Sequence, residues 1–164
     1  MAVAILFAAC LAPGQIARFD APAGPYSKLT HRFSNSLSYG GLVFLSGQVG
    51  FEGAEHSELA TGNITAQTLA TLANVDQALA AAGSSREYVL QVTIWLADIV
   101  RDYDGFNAVW DAWLKGDARP TRACIEAKIL KPEMLVEVML VAARVPRGPL
   151  AALRRAWRGL LRRP

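Results

Sequence analysis

Over residues 32–39 (RFSNSLSY) apolar and polar side chains alternate as they do in a half-buried strand. Gly40-Gly41 follows as a two-residue hairpin turn, a position that favours residues tolerant of positive φ. Leu42-Val43-Phe44-Leu45 then predicts a second, apolar strand ending at Ser46-Gly47-Gln48, where the glycine lets another group approach the backbone closely. Residues 64–82 carry the clearest helical period, with Ile64, Leu69, Leu72, Val75 and Leu79 near one face, Asn63 as N-cap and Gly83 just past the end. Residues 89–97 (VLQVTIWLA) read as a buried strand. In the helix after it, Tyr103, Phe106, Trp110 and Trp113 recur at helical spacing behind a cap at Asp102 or Asp104, an aromatic stripe that belongs to a core. Strands over residues 121–129 and 135–143, joined by a turn around Lys131-Pro132-Glu133, complete the order ββαβαββ. Such an order is an α+β layout: a mixed sheet with two helices on one face.

Composition adds an expectation about assembly. At 164 residues the chain has the length of one domain, and 52% hydrophobic against 19% charged residues is apolar enough to expect surface covered by partner subunits. The formal charge of +3 is unevenly placed: Arg147, Arg154, Arg155, Arg158, Arg162 and Arg163 fall in a tail without acidic residues, leaving the rest of the chain at −3. A mildly acidic body removes the simplest support for nucleic-acid binding. Cys10 and Cys124 share no disulfide or zinc spacing, and His31 and His56 sit in polar stretches as solvated side chains, so neither a disulfide framework nor a zinc site is indicated.

The ends divide the chain into an N-terminal extension (1–31), a domain (32–145) and a basic C-terminal tail (146–164). The apolar start MAVAILFAACLAP has no Lys or Arg before its apolar run and is short for an export signal, which favours a cytoplasmic protein. In the tail, Leu150, Leu153, Trp157, Leu160 and Leu161 form one helical stripe among arginines; a non-catalytic extension is favoured over membrane or partner contact.

Charged residues inside apolar strands nominate the chemistry, because an unpaired buried charge is costly. A period of two puts Arg122, Cys124, Glu126 and Lys128 on one face of the penultimate strand, read as the polar face, and Ala123, Ile125, Ala127 and Ile129 on the other, read as core. Glu137 stands alone in the apolar last strand and needs a partner. Arg122 and Glu137 either form a structural pair, or reach solvent, or make an anion site in which an arginine fork binds a carboxylate and a nearby carboxylate handles a proton or water. Cys124 reads as a small buried thiol before a nucleophile, since no histidine lies near it in sequence. Asn107, within the aromatic helix, caps, packs or touches ligand.

The segments FLSGQVG, TIWLAD, NAVWDAWL, RPTRACIEA and LVEVMLVAA resemble, in order, the motifs of the RidA/YjgF family over about residues 32–145, with the last three most similar to the YoaB branch. The resemblance implies a chorismate-mutase-like α+β fold, a homotrimer with ligand clefts between subunits, and cofactor-free hydrolysis of 2-imino or enamino acids to 2-keto acids and ammonia, as by a 2-iminobutanoate/2-iminopropanoate deaminase. A non-catalytic trimer that binds or senses small carboxylates is the alternative, and RNA cleavage, attributed to some of the wider family, ranks last. By position, Arg122 matches the family's carboxylate-binding arginine, Glu137 its water-orienting glutamate, Cys124 the cysteine beside the ligand, Asn107 the helix asparagine and Ser46-Gly47 the cleft loop. The family's deaminases also carry a tyrosine in a Gly-Pro-Tyr-Ser segment. Gly24-Pro25-Tyr26-Ser27 has those letters but lies 20 residues before Ser46; ungapped alignment from the Gly40-Gly41 turn favours Phe33, with Tyr26 the alternative.

Overall fold

A computed structural model describes residues 15–20, 32–52, 58–114 and 118–145. His31, His56, Cys10, Tyr26 and the C-terminal stripe lie outside the described residues. The chain runs through β1 (Ala17–Phe19), β2 (Ser36–Tyr39), β3 (Leu42–Gln48), the short β4 (Phe51–Glu52) and β5 (Glu58–Leu59), α1 (Ile64–Ala81), β6 (Val89–Leu96), α2 (Ile99–Trp113), β7 (Thr121–Glu126) and β8 (Val136–Ala143). Six strands form one sheet in the order β1-β2-β3-β8-β6-β7, antiparallel except for the β6-β7 pair that α2 connects. The expected α+β layout is present, with β1, β4 and β5 added. No hydrophobic pattern marks β1, a three-residue strand that pairs with β2 in the stretch read as an N-terminal extension.

Local rules account for most of these elements. Gly40 (φ 58°) and Gly41 (φ 83°) both take the left-handed region, and the turn between Tyr39 and its partner Leu42 is therefore the tight two-residue type. Asn63 caps α1 by accepting a hydrogen bond from the Ala66 N–H at 3.2 Å, and Gly83 (φ 76°) stands just past the helix end. Leu69 departs from the predicted face and is 57% exposed, while Leu72, Val75 and Leu79 are buried. The cap of α2 is Asp98, not Asp102 or Asp104: its extended backbone lets the carboxylate accept from the Arg101 N–H at 3.0 Å. Asp102 lies one turn inside, 3% exposed, and its charge is met by the Arg101 guanidinium at 2.6 Å.

Alternation along β3, β6 and β8 sends Val43, Leu45, Val92, Ile94, Val136 and Val138 toward α1 and α2, where they meet Leu79 and Phe106 in one core. Polar side chains tie the layers together. Gln67 on α1 donates to the Glu133 carbonyl and accepts from the Leu135 N–H, both at 2.8 Å, which fixes the entry to β8. Arg86 forms an ion pair with Asp76, donates to the Trp113 carbonyl at 3.0 Å and lies 5.1 Å over the Trp113 ring, joining α1 to the end of α2. Among the described residues nothing covers the opposite face of the sheet, where Tyr39, Phe44, Ile125 and Met139 are exposed. Among the described residues no helix is long and apolar enough to cross a membrane.

Leu79 is fully buried at the centre of α1's inner face, so Leu79→Ala should lower unfolding stability by about 2–5 kcal/mol. Val100→Ala, at a position 92% exposed, should change it by less than about 0.5 kcal/mol. Denaturant titration of the two variants checks the contrast.

Candidate functional site

The first group of site residues forms where β7 passes under α2. Register with β6 pairs Val92 with Arg122 and Ile94 with Cys124, so Arg122 and Cys124 share the inward face of Val92 and Ile94. The sequence reading of this strand is thereby reversed. Arg122, Cys124 and Glu126 lie on the helix side, while Ala123 and Ile125, expected in the core, are exposed. The physical reason is the covering helix: Arg122 lies 5.8 Å from the Tyr103 ring centroid, 5.6 Å from Phe106 and 5.8 Å from Trp110, and donates from Nη1 to Asn107 Oδ1 at 2.7 Å. Aromatic faces attract a guanidinium, and the asparagine fixes its plane.

Alignment of α2 over β7 follows from its N-terminus, where the Ile99 N–H donates to Glu126 Oε2 at 3.0 Å. That contact satisfies an otherwise unpaired amide of the first turn and places a negative charge against the positive end of the helix. Burial pushes the Cys124 thiol up, with the neighbouring Arg122 charge partly opposing the shift, so the thiol stays protonated near neutral pH. β7 is also an edge strand among the described residues. Ala127 donates its N–H to Leu96, hence alternate residues Ile125 and Ala123 face β6 while the Arg122 and Cys124 backbone groups point off the free edge.

A second group lies where β3 breaks register with β8. The ladder shifts between Leu45 and Gln48, and Ser46-Gly47 leave the regular pairing. Ser46 is held by its Oγ donating to the Ser34 carbonyl at 2.7 Å and its N–H donating to the Asn35 carbonyl at 2.9 Å. Gly47 is the close approach anticipated from sequence, and the approaching group is Glu137: a Cβ at Gly47 would stand 1.8 Å from Glu137 Oε1. Glu137 is half-buried, has no hydrogen-bond partner among the described residues, and burial pushes its carboxyl up from the usual range. Phe33, 43% exposed, and Ser46 line a cavity of about 550 Å³ that Arg18, Arg32, Leu37 and Phe44 also border.

These two groups do not meet within one chain. Glu137 pairs with Trp95, which pairs with Ile125, so Arg122 is two strands away and three residues along, about 10 Å in each direction, on the opposite face of the sheet. The structural Arg122-Glu137 pair left open by the sequence is therefore not formed. Among the described residues no group of three or more His, Cys, Asp or Glu converges to hold a metal ion. Two contributors go unnoticed in the sequence: Tyr103, whose aromatic stripe reads only as core, and Arg18, carried on the short β1.

The family model described as Endoribonuclease L-PSP matches residues 21–144. The chain belongs to this family, that of the YjgF and RutC proteins. A RutC family protein of Haemophilus ducreyi is 31% identical over 115 residues, covering 70% of this chain and 92% of the relative. The RutC family protein YoaB of Escherichia coli is 39% identical over 77 residues, 47% of this chain and 67% of YoaB, in keeping with the YoaB-like motifs. The solved structure of a YjgF family member from Neisseria meningitidis superposes with a TM-score of 0.67 at 34% identity, covering 81% of this chain and 98% of that one. Another solved structure, from Thermotoga maritima, is described as a putative endoribonuclease and superposes with a TM-score of 0.67 at 26% identity.

The upward shift of the Glu137 pKa has a definite sign in stability. The native chain keeps this proton to higher pH than the unfolded chain does, so stability is lost as pH rises through the interval between the two values. Glu137→Gln should remove that loss, so that its stability relative to the parent grows as pH rises above the ordinary carboxylate range of about pH 4, as read by chemical denaturation below and well above it. Parallel pH profiles of parent and variant would contradict it.

Proposed function

We propose that the protein hydrolyses reactive 2-imino or enamino acids to 2-keto acids and ammonia, in clefts formed between neighbouring copies of a homotrimer. The observation that carries the reading is the split of the site. A charged fork with one arm fixed by Asn107 stands at a free strand edge, while a partnerless carboxylate over Gly47 stands on the other face. A second copy docked on the exposed apolar face can join Arg122 of one chain to Glu137 of the next, and that face supplies the driving force for docking.

In such a cleft the remaining Arg122 N–H groups hold the substrate carboxylate bidentately. The Cys124 N–H, directed off the edge of β7 and without a partner among the described residues, polarises the bound molecule. Glu137 orients a water at the imine carbon and accepts its proton as the C–O bond forms. The same proton then goes to the nitrogen, giving a carbinolamine; Glu137 next relays the hydroxyl proton to the nitrogen, the C–N bond breaks as C=O forms, and R–C(=NH)–COO⁻ plus water yields R–CO–COO⁻ plus ammonia. A carboxyl raised toward neutrality by burial suits this exchange. The Cys124 thiol, kept protonated, is packing beside the ligand in this mechanism, and no metal or cofactor enters it. Phe33 at the cleft would bring an aromatic face without a hydroxyl.

A coupled assay that generates 2-iminobutyrate or 2-iminopropionate and times its decay tests the reading. The protein should accelerate decay over buffer, and Arg122→Ala should lower kcat/KM by about a hundredfold. No acceleration, with a small carboxylate still bound, would leave a non-catalytic carboxylate binder. The endoribonuclease name of relatives is met in the same preparation by an RNA-cleavage arm with and without residues 147–164.

A further inference from the structure

The cavity beside Ser46 carries an arginine, Arg18, that hydrolysis of a monocarboxylic imino acid, with its one carboxylate held by Arg122, does not require. Arg18 is the middle residue of β1 and pairs with Leu37, which pairs with Phe44, so the three lie in one row across the uncovered face. The cavity of about 550 Å³ is lined by Arg18, Arg32, Phe33, Ser46 and apolar neighbours, and no Asp or Glu is among its described lining residues. Arg18 forms no ion pair with any described residue. On a chain whose charge outside the tail is −3, the Arg18 guanidinium at an apolar-floored cavity with no carboxylate among its described lining residues marks a place for an anion.

We propose that this cavity receives the side-chain carboxylate of a dicarboxylic 2-imino acid, with Arg18 as the specificity-determining residue. The inference rests on the deaminase reading for the identity of the reacting end. Among imines derived from amino acids, the side chains that carry an anion are carboxylates, which selects the dicarboxylic class over phosphorylated ones. One carboxylate, next to the imine carbon, belongs to Arg122 of a neighbouring copy; the other belongs to Arg18. Ser46 and Phe33 line the cavity at the reacting end, and Leu37 and Phe44 floor the space between that end and Arg18, where the intervening methylene groups lie. The reaction is unchanged: the imine gains water, loses ammonia and leaves the dicarboxylic 2-keto acid.

Calorimetric titration of the full chain with 2-oxoglutarate and with 2-oxobutyrate reads the preference directly, without requiring turnover. The dicarboxylate should bind about tenfold or more tightly. In Arg18→Met the ratio should fall toward one, and in Arg18→Glu it should favour the monocarboxylate, with melting and sedimentation confirming folded protein of parental size. Equal affinities in the parent, or a preference that survives Arg18→Met, would overturn the proposal. So would loss of the oligomer in Arg18→Met with the preference retained, because Arg18 would then serve a subunit contact. The two readings fail separately. A dicarboxylate preference without decay of 2-iminoglutarate or 2-iminobutyrate retires deamination and keeps the site, whereas turnover of both imines without preference retires the site and keeps deamination.

Discussion

The site depends on how one guanidinium is held on the inward face of an edge strand. Arg122 lies between β7 and α2, where burial would be costly without compensation. Three aromatic rings of α2 offer their faces to the charge and Asn107 takes one N–H, which leaves the group charged, oriented and short of partners on its outer side. Those contacts require α2 to sit at one height over the sheet. Asp98 and Glu126 set that height at the start of the helix, and the Asp76-Arg86-Trp113 clamp sets it at the end. Phe106 and Trp110 serve the core and the arginine at once.

From that placement follows the division of the site. An inward-facing Arg122 lies across the sheet from Glu137, whose own face carries the Ser46-Gly47 bulge, the cavity and exposed apolar residues. For the proposed hydrolysis neither half suffices: among the described residues the first can hold an anion but has no carboxylate aimed at it, and the second has Glu137 without Arg122. The proposed joining of copies would answer both this and the exposure of the apolar residues, and the 52% hydrophobic composition fits a surface that is covered. Within the proposed assembly, function and association are one constraint.

Much of the scaffold was legible in the sequence because it rests on local rules. Gly40-Gly41, Asn63 and Gly83 announce a turn and two helix ends through their own backbone or side-chain chemistry. Gly47 announced a close approach, though nothing in the sequence said that Glu137 makes it. The faces of β7 were misread because a period of two states which residues share a face and is silent on which face points inward. Arg122 and Glu126 were read as outward by their charge, and only the aromatic helix laid over them reverses the inference. Asp102 was read as a cap by residue type, whereas the true cap, Asp98, is identified by its extended backbone at the end of β6. Arg18 escaped because a strand of three residues has no period to detect.

The central claim is that Arg122 and Glu137 act together only across two copies of the chain. Arg122→Ala and Glu137→Gln, each inactive alone on a generated 2-imino acid, are unfolded, mixed in equal amounts and refolded together. If neighbouring chains contribute the two residues, random assembly restores parental residues to about a quarter of the clefts, and activity should rise to about that fraction of the parent's. A refolded mixture of the same size with no more activity than the two variants kept apart would contradict it.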